Sequence, residues 1–132
     1  MFTLDSTISP QQAKLLSPVT LAFVGDAVYS LYIREKWVLS SDFRTGELQK
    51  RTSAEVSAKG QSALLDKILP HFTEEENAIF LRGRNAKKPT KSKNASVAEY
   101  NRSTGFEAVL GFLYMTGNHA RIDELLSMEE NS

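Results

Sequence analysis

Asp26 and Glu107 stand where acids are unfavourable. Asp26 lies inside Leu21-Ala-Phe-Val-Gly-Asp-Ala-Val-Tyr29, and Glu107 inside Ser103-Thr-Gly-Phe-Glu-Ala-Val-Leu-Gly-Phe-Leu113. Each sits in a largely apolar run, with Gly25 or Gly105 one or two positions before it. Glycine inside a helix costs about 1 kcal/mol relative to alanine, so both glycines point to close approach by another group. The helical neighbours of Asp26 are Ala22, Phe23, Tyr29 and Ser30, and those of Glu107 are Ser103, Thr104, Leu110 and Gly111. None is a cation. An ionised carboxylate screened by apolar neighbours needs compensation, and one shared divalent ion would supply it to both acids. Oxygen-only ligands with open, water-filled positions favour Mg²⁺, with Mn²⁺ as a substitute. The competing reading has acids that face water or pair with a distant Arg34 or Arg102, and helix geometry alone leaves both open.

A second group of residues suits phosphates. The 16 basic and 16 acidic residues cancel, but Arg82, Arg84, Lys87, Lys88, Lys91 and Lys93 form a run of cations with no acid among them. Phosphate contacts dominate affinity for nucleic acids, and Arg82 and Arg84, flanking Gly83, are placed to fork onto phosphates. The lysines fall on a loop marked by Pro89, and the bland alternative is a solvated loop with no ligand. His71 and His119 lie at helix boundaries and read as surface or capping residues. With no cysteine in the chain, disulfides, thiolate metal sites and a cysteine nucleophile are excluded. The sequence also lacks a glycine-rich phosphate loop, His-Glu-x-x-His and a nucleophile elbow.

The elements that must position these groups are helices. Ser9-Pro10 and Ser17-Pro18 are start signals, the first for a short helix to Leu16 and the second for a long one to about Leu39. The long helix carries apolar residues at Val19, Phe23, Ala27 and Leu31. A third helix is expected from Arg44 or Thr45 to Leu69, ended by Pro70, with Leu48, Val56, Ala63, Leu64 and Ile68 as its buried stripe. Thr73 and Glu76 form a capping box for a helix reaching Gly83. Ser96 caps the helix that carries Glu107 to Met115, where Gly117 stops it, and Asn118 opens a last short helix. No stretch alternates with period two, so the expected class is all-α.

The segments around the two acids resemble the hallmark stretches of the ribonuclease III catalytic domain. Leu21-Ala-Phe-Val-Gly-Asp-Ala27 is similar to the signature helix Leu-Glu-Phe-Leu-Gly-Asp-Ala or Ser. Thr104-Gly-Phe-Glu-Ala-Val-Leu-Gly111 is similar to Asp-x-Phe-Glu-Ala-Leu-x-Gly or Ala. Arg82-Gly-Arg-Asn-Ala-Lys87, Val56-Ser-Ala-Lys59 and Arg102-Ser-Thr-Gly-Phe-Glu107 resemble the Mini-III branch of that family. The likeness runs from Val19 to Leu126, nearly the whole chain.

The resemblance implies an all-α homodimer whose active sites flank a valley for an RNA duplex, with Asp26 and Glu107 as catalytic, metal-binding carboxylates. The implied reaction is Mg²⁺-dependent hydrolysis of double-stranded RNA to 5′-phosphate and 3′-hydroxyl ends. The implied substrate is the precursor of 23S ribosomal RNA, with a large-subunit ribosomal protein assisting. Two departures matter: Ala22 stands where most members carry glutamate, and Thr104 where most carry aspartate. They leave two protein carboxylates per site, as in the Mini-III branch. The rival expectation is a non-catalytic RNA-binding or ribosome-associated dimer in which those positions mark a dismantled site.

The chain is expected to be one catalytic domain over residues 1–132, with its core at about 18–127 and no double-stranded-RNA-binding domain. The N-terminus shows no basic region followed by an apolar run. The apolar stretch from Val19 to Ile33 is broken by Asp26 and falls short of the roughly 20 residues a membrane span needs. A cytoplasmic location and no membrane partner are therefore expected.

Overall fold

The computed structural model describes residues 7–88 and 96–129. Among them are seven α-helices and no strand: α1 (Pro10–Lys14), α2 (Pro18–Ser40), α3 (Thr45–Val56), α4 (Ala58–Ile68), α5 (Glu74–Asn85), α6 (Val97–Met115) and α7 (His119–Leu126). The expected start signals operate. Ser9 and Ser17 accept from Gln12 N and Val19 N, and the Thr73–Glu76 box closes in both directions. Ser96 caps α6, and Gly117, at φ 79°, takes the left-handed conformation that ends it.

Helix α6 is the axis of the molecule. From Ser103 to Leu113 every residue except Glu107 is buried, which an apolar, small-residue sequence permits on all sides. Helix α2 packs on one flank and α5 on another, while α4 and α7 cover the remainder. Tyr29 meets Phe106 edge to face at 5.2 Å between ring centroids. Ile33, Leu64, Leu65, Ile68, Phe80, Ile122 and Leu125 belong to the same core. Each such large side chain taken from water contributes about 1.5–3 kcal/mol.

The glycines set how closely the helices approach. A Cβ on Gly25 would lie 1.7 Å from the carbonyl oxygen of Glu107, and one on Gly111 would lie 1.9 Å from that of Leu21. Helices α2 and α6 therefore cross backbone to backbone. Gly105 faces α5, where a Cβ would meet the carbonyl oxygen of Phe80 at 2.6 Å. Both glycines that precede the buried-helix acids are explained by packing of this kind.

Three expectations about the helices are corrected. The third helix is not continuous: Ser57, at ψ 158°, separates α3 from α4. Its hydroxyl donates to Ala54 O and accepts from Gly60 N, ending one helix and capping the next. On α4 the buried stripe is Gln61, Leu64, Leu65 and Ile68, while Ala63 is exposed. On α2, the row of Phe23, Ala27 and Leu31 faces outward, with Phe23 82% exposed, and the core takes Leu21, Ala22, Gly25, Tyr29 and Ile33. Helix α2 is apolar nearly all round, so its periodicity does not say which face meets α6. The glycine does.

Candidate active site

The α2–α6 crossing brings residues 81 positions apart in the chain into one place. Asp26 follows Gly25 on α2, and Glu107 belongs to the turn of α6 that Gly25 touches. Their carboxyl groups come within hydrogen-bonding reach of each other. Both line an open cleft of about 520 Å³ whose other walls include Ala22, Phe23, Gln61, Lys88, Ser103 and Thr104. Asp26 is exposed to the cleft, and Glu107 is partly buried behind it.

The electrostatics of the pair follow from this placement. Burial, the hydrogen bond with Asp26 and the charge of Asp26 push the Glu107 carboxyl up to about 8, while donation from Gln61 pulls it down. Two carboxylates this close do not both remain ionised at neutral pH without a positive partner. Neither arginine suggested as that partner serves: Arg34 donates to Ser30 on its own helix, and Arg102 pairs with Asp66 at 2.5 Å. The pair thus holds a proton or a cation.

The residues fit a divalent ion with few protein ligands. Among the described residues no third acid or histidine joins Asp26 and Glu107. Ala22 and Thr104, the two departures noted in the sequence, both line the same cleft. Thr104 spends its hydroxyl on Tyr100 O at 3.0 Å, as Ser103 does at 2.9 Å. That leaves two carboxylates in an open cleft, an arrangement suited to Mg²⁺, which keeps several waters and accepts one or two carboxylates.

The cations divide. Lys88 alone of the run lines the cleft among the described residues. Its ammonium donates to Arg84 O and Ala86 O, the free carbonyls at the end of α5, and burial lowers its pKa. Arg82 and Arg84 do not form a fork. Gly83 between them is turned inward against Gly105, and Arg82 reaches back to Lys14 O on α1. Arg84 donates to Asn85 instead. Two residues apart on a helix, the arginines leave in nearly opposite directions. Lys87 is exposed, and Lys91 and Lys93 lie outside the described residues.

His71 and His119 are exposed and remote from the cleft, His119 stacking on Tyr114 with ring centroids 5.2 Å apart. Gln61 is the residue that sequence reasoning missed. Only 2% exposed, it donates from Nε2 to Glu107 Oε2 at 3.2 Å and to Val56 O at 2.9 Å. Its signal was available: a glutamine in register with Leu64, Leu65 and Ile68 on the buried stripe of α4.

Comparison with known proteins decides the family. The ribonuclease III domain model matches residues 19–118. This chain belongs to the ribonuclease III family. Within it the chain is similar to the Mini-ribonuclease 3 of Streptococcus pneumoniae, 45% identical over 86% of this chain and 90% of that one. Similarity to the Mini-ribonuclease 3 of Clostridium tetani is 37% identity over 98% of this chain and 87% of that one. A crystal structure of a protein from Fusobacterium nucleatum superposes with a TM-score of 0.79 at 32% identity, covering 89% of this chain and 93% of that one. The family places the chain among endoribonucleases that cut double-stranded RNA, and the cleft just described lies within the matched domain. No helix among the described residues is long and apolar enough to cross a membrane.

Proposed function

We propose that this ribonuclease III domain hydrolyses duplex RNA at the Asp26–Glu107 cleft in a reaction that depends on Mg²⁺ and leaves 5′-phosphate and 3′-hydroxyl ends. The observation that carries the reading is the meeting of two carboxyl groups from distant helices in one open cleft. Asp26 and Glu107 would hold the ion, which supplies Lewis acidity toward a phosphate oxygen and toward water. The chain's own contribution is placement. The glycine crossing fixes the separation of the two carboxylates, and the exposed Asp26 leaves coordination positions open to substrate. Lys88 faces the same space and meets a phosphate there, while Arg84 and Lys87 extend the basic edge outward. Such contacts read the A-form backbone by shape rather than by sequence.

The active form is a homodimer. Phe23, Leu31 and Val38 lie 82%, 65% and 63% exposed on α2, and a second copy of the chain packed on this face would bury them. Phe23 also lines the cleft, so an occupant of this face borders the carboxylates. By likeness to proteins named Mini-ribonuclease 3, the substrate is the precursor of 23S ribosomal RNA, with a large-subunit ribosomal protein assisting, in the cytoplasm.

The test is incubation of duplex RNA with Mg²⁺, comparing the natural chain with Asp26→Asn. Cleavage that falls at least about a hundredfold in the variant, the worth of one group that stabilises a transition state, supports the reading. Duplex bound but cut by neither protein supports instead an inactive RNA-binding dimer of the same fold.

A further inference from the structure

We infer that Gln61 is a positioning residue that divides the two oxygens of Glu107, holding Oε2 within the fold and leaving Oε1 to face Asp26 and an ion. The inference rests on the reading of Asp26 and Glu107 as the ion-binding pair.

Three observations support it. First, the orientation of the carboxamide is chemically determined. Val56 is the last residue of α3, and its carbonyl lies beyond the helix's own hydrogen bonds, so it needs a donor. Gln61 Nε2 supplies one at 2.9 Å, and the second N–H then points to Glu107 Oε2 at 3.2 Å. A flipped amide would set its oxygen against the Val56 carbonyl, which can only accept. Second, the anchor is rigid. Gln61 is 2% exposed and lies only five residues after the carbonyl it binds, on a helix that begins at Ala58 because Ser57 breaks the chain there. Gly60 permits the tight return, since a Cβ would lie 2.4 Å from Ala54 O. Third, Gln61 Oε1 is buried without a hydrogen-bond partner among the described residues, an arrangement that costs stability. A leucine would fill the α4 stripe without that cost. The amide's gain lies in the bonds that Nε2 makes.

Glu107 can rotate about three side-chain bonds, and a carboxylate whose two oxygens are equivalent can meet an ion in several poses. Donation to Oε2 removes most of them before the ion arrives. Partners that orient a metal ligand in this way are worth tenfold to a hundredfold in affinity.

Gln61→Met keeps the length and bulk of the side chain and removes both donors. Mn²⁺ binding, followed through the electron paramagnetic resonance of the free ion, is expected to weaken about tenfold in this variant. The KM for duplex RNA should stay within twofold, and kcat should recover at high Mg²⁺. A purely structural role would lower the melting temperature and leave Mn²⁺ affinity of the folded protein unchanged, which overturns the inference. If Gln61→Met does not fold, the unmodified chain provides the second measurement. The Gln61 side-chain amide signals should shift on Mg²⁺ titration with the midpoint of ion binding, and signals that do not respond overturn it. The two readings fail differently. Mn²⁺ binding that depends on Asp26 but not on Gln61 removes only this inference, whereas binding that ignores Asp26 removes both.

Discussion

Gly25 of α2 lies against the carbonyl of Glu107 on α6, so closely that a Cβ at position 25 would sit 1.7 Å from that oxygen. The contact is backbone on backbone and has no flexible side chain to yield. Gly25→Ala should therefore separate the helices, at a cost at or above the upper end of the about 1–3 kcal/mol typical of overpacking. The same displacement moves Asp26 away from Glu107. Thermal unfolding and Mn²⁺ affinity should fall together in this variant. Gly46→Ala, where nothing lies within 4 Å, serves as the control and should change neither.

How far the site could be read from sequence follows from the same crossing. Asp26 and Glu107 were legible because an acid in an apolar helix is a local anomaly, and so were the Ser17, Thr73 and Ser96 caps, each set within a few residues. The orientation of α2 was not legible. Its two faces are almost equally apolar, and the choice between Phe23 and Leu21 as a core residue depends on where a second helix finds room beside Gly25. The break at Ser57 was hidden by helical residues on both sides, and the role of Gln61 depends on that break. Arg82 and Arg84 looked like a fork only while the helix was expected to end at Gly83. Inside α5 it becomes a contact with Gly105, and the arginines diverge.

The raised carboxyl of Glu107 fixes the sign of two pH effects. Folded, it holds its proton up to about 8, against an ordinary value of 4.5. In the ion-free protein this group's contribution to stability is complete below about 4.5 and is lost as pH rises through about 8. Unfolding in a chelator should therefore show a stability that falls between those values more steeply in the natural chain than in Glu107→Gln. Ion binding runs the other way, because the ion must displace the proton. Apparent Mg²⁺ affinity should rise about tenfold per pH unit until the carboxyl ionises, then level off. Isothermal titration in buffers of different ionisation enthalpy should detect the released proton.

A second charged pair makes the opposite prediction at acid pH. Glu76, at the start of α5, is 3% exposed and takes a two-point grip from Arg121 of α7 at 2.8 and 2.9 Å. Arg121 also donates to His71 O at 2.7 Å and to Glu124. Burial raises the Glu76 carboxyl, but the bonds from Arg121 and Thr73 outweigh it and hold the group below the ordinary carboxylate range. Its contribution is present above the unfolded value and lost as pH falls through the folded one. Arg121→Met leaves a buried charge unpaired and should cost about 3–5 kcal/mol near neutrality, with a smaller deficit in acid. Urea unfolding at two pH values measures both.

The outward face of α2 tests the assembly. Phe23 is 82% exposed and Leu31 65%, and a charge placed between copies would be desolvated without a partner. The proposed pairing of two copies through this face predicts a dimeric mass by sedimentation for the natural chain, and for Leu31→Glu a halved mass with unchanged helix content. Position 31 is outside the cleft, so loss of cleavage in this variant would arise from loss of the second copy.

Lys88 separates the role of the cleft from that of the surrounding charge. It lines the same space as the two carboxylates, with its ammonium already drawn to Arg84 O and Ala86 O at 2.9 and 2.7 Å. A phosphate entering the cleft competes with those carbonyls and, being charged, holds the ammonium more strongly. Lys88→Ala should raise KM for duplex RNA several-fold and reduce the slope of log affinity against log salt by about one, with kcat little changed. Arg82 points back to α1 and has no such claim on the substrate. Arg82→Ala should leave the salt slope within error of the natural chain, and equal slope changes from the two variants would mean that the cations act as a diffuse field rather than through a contact at the cleft.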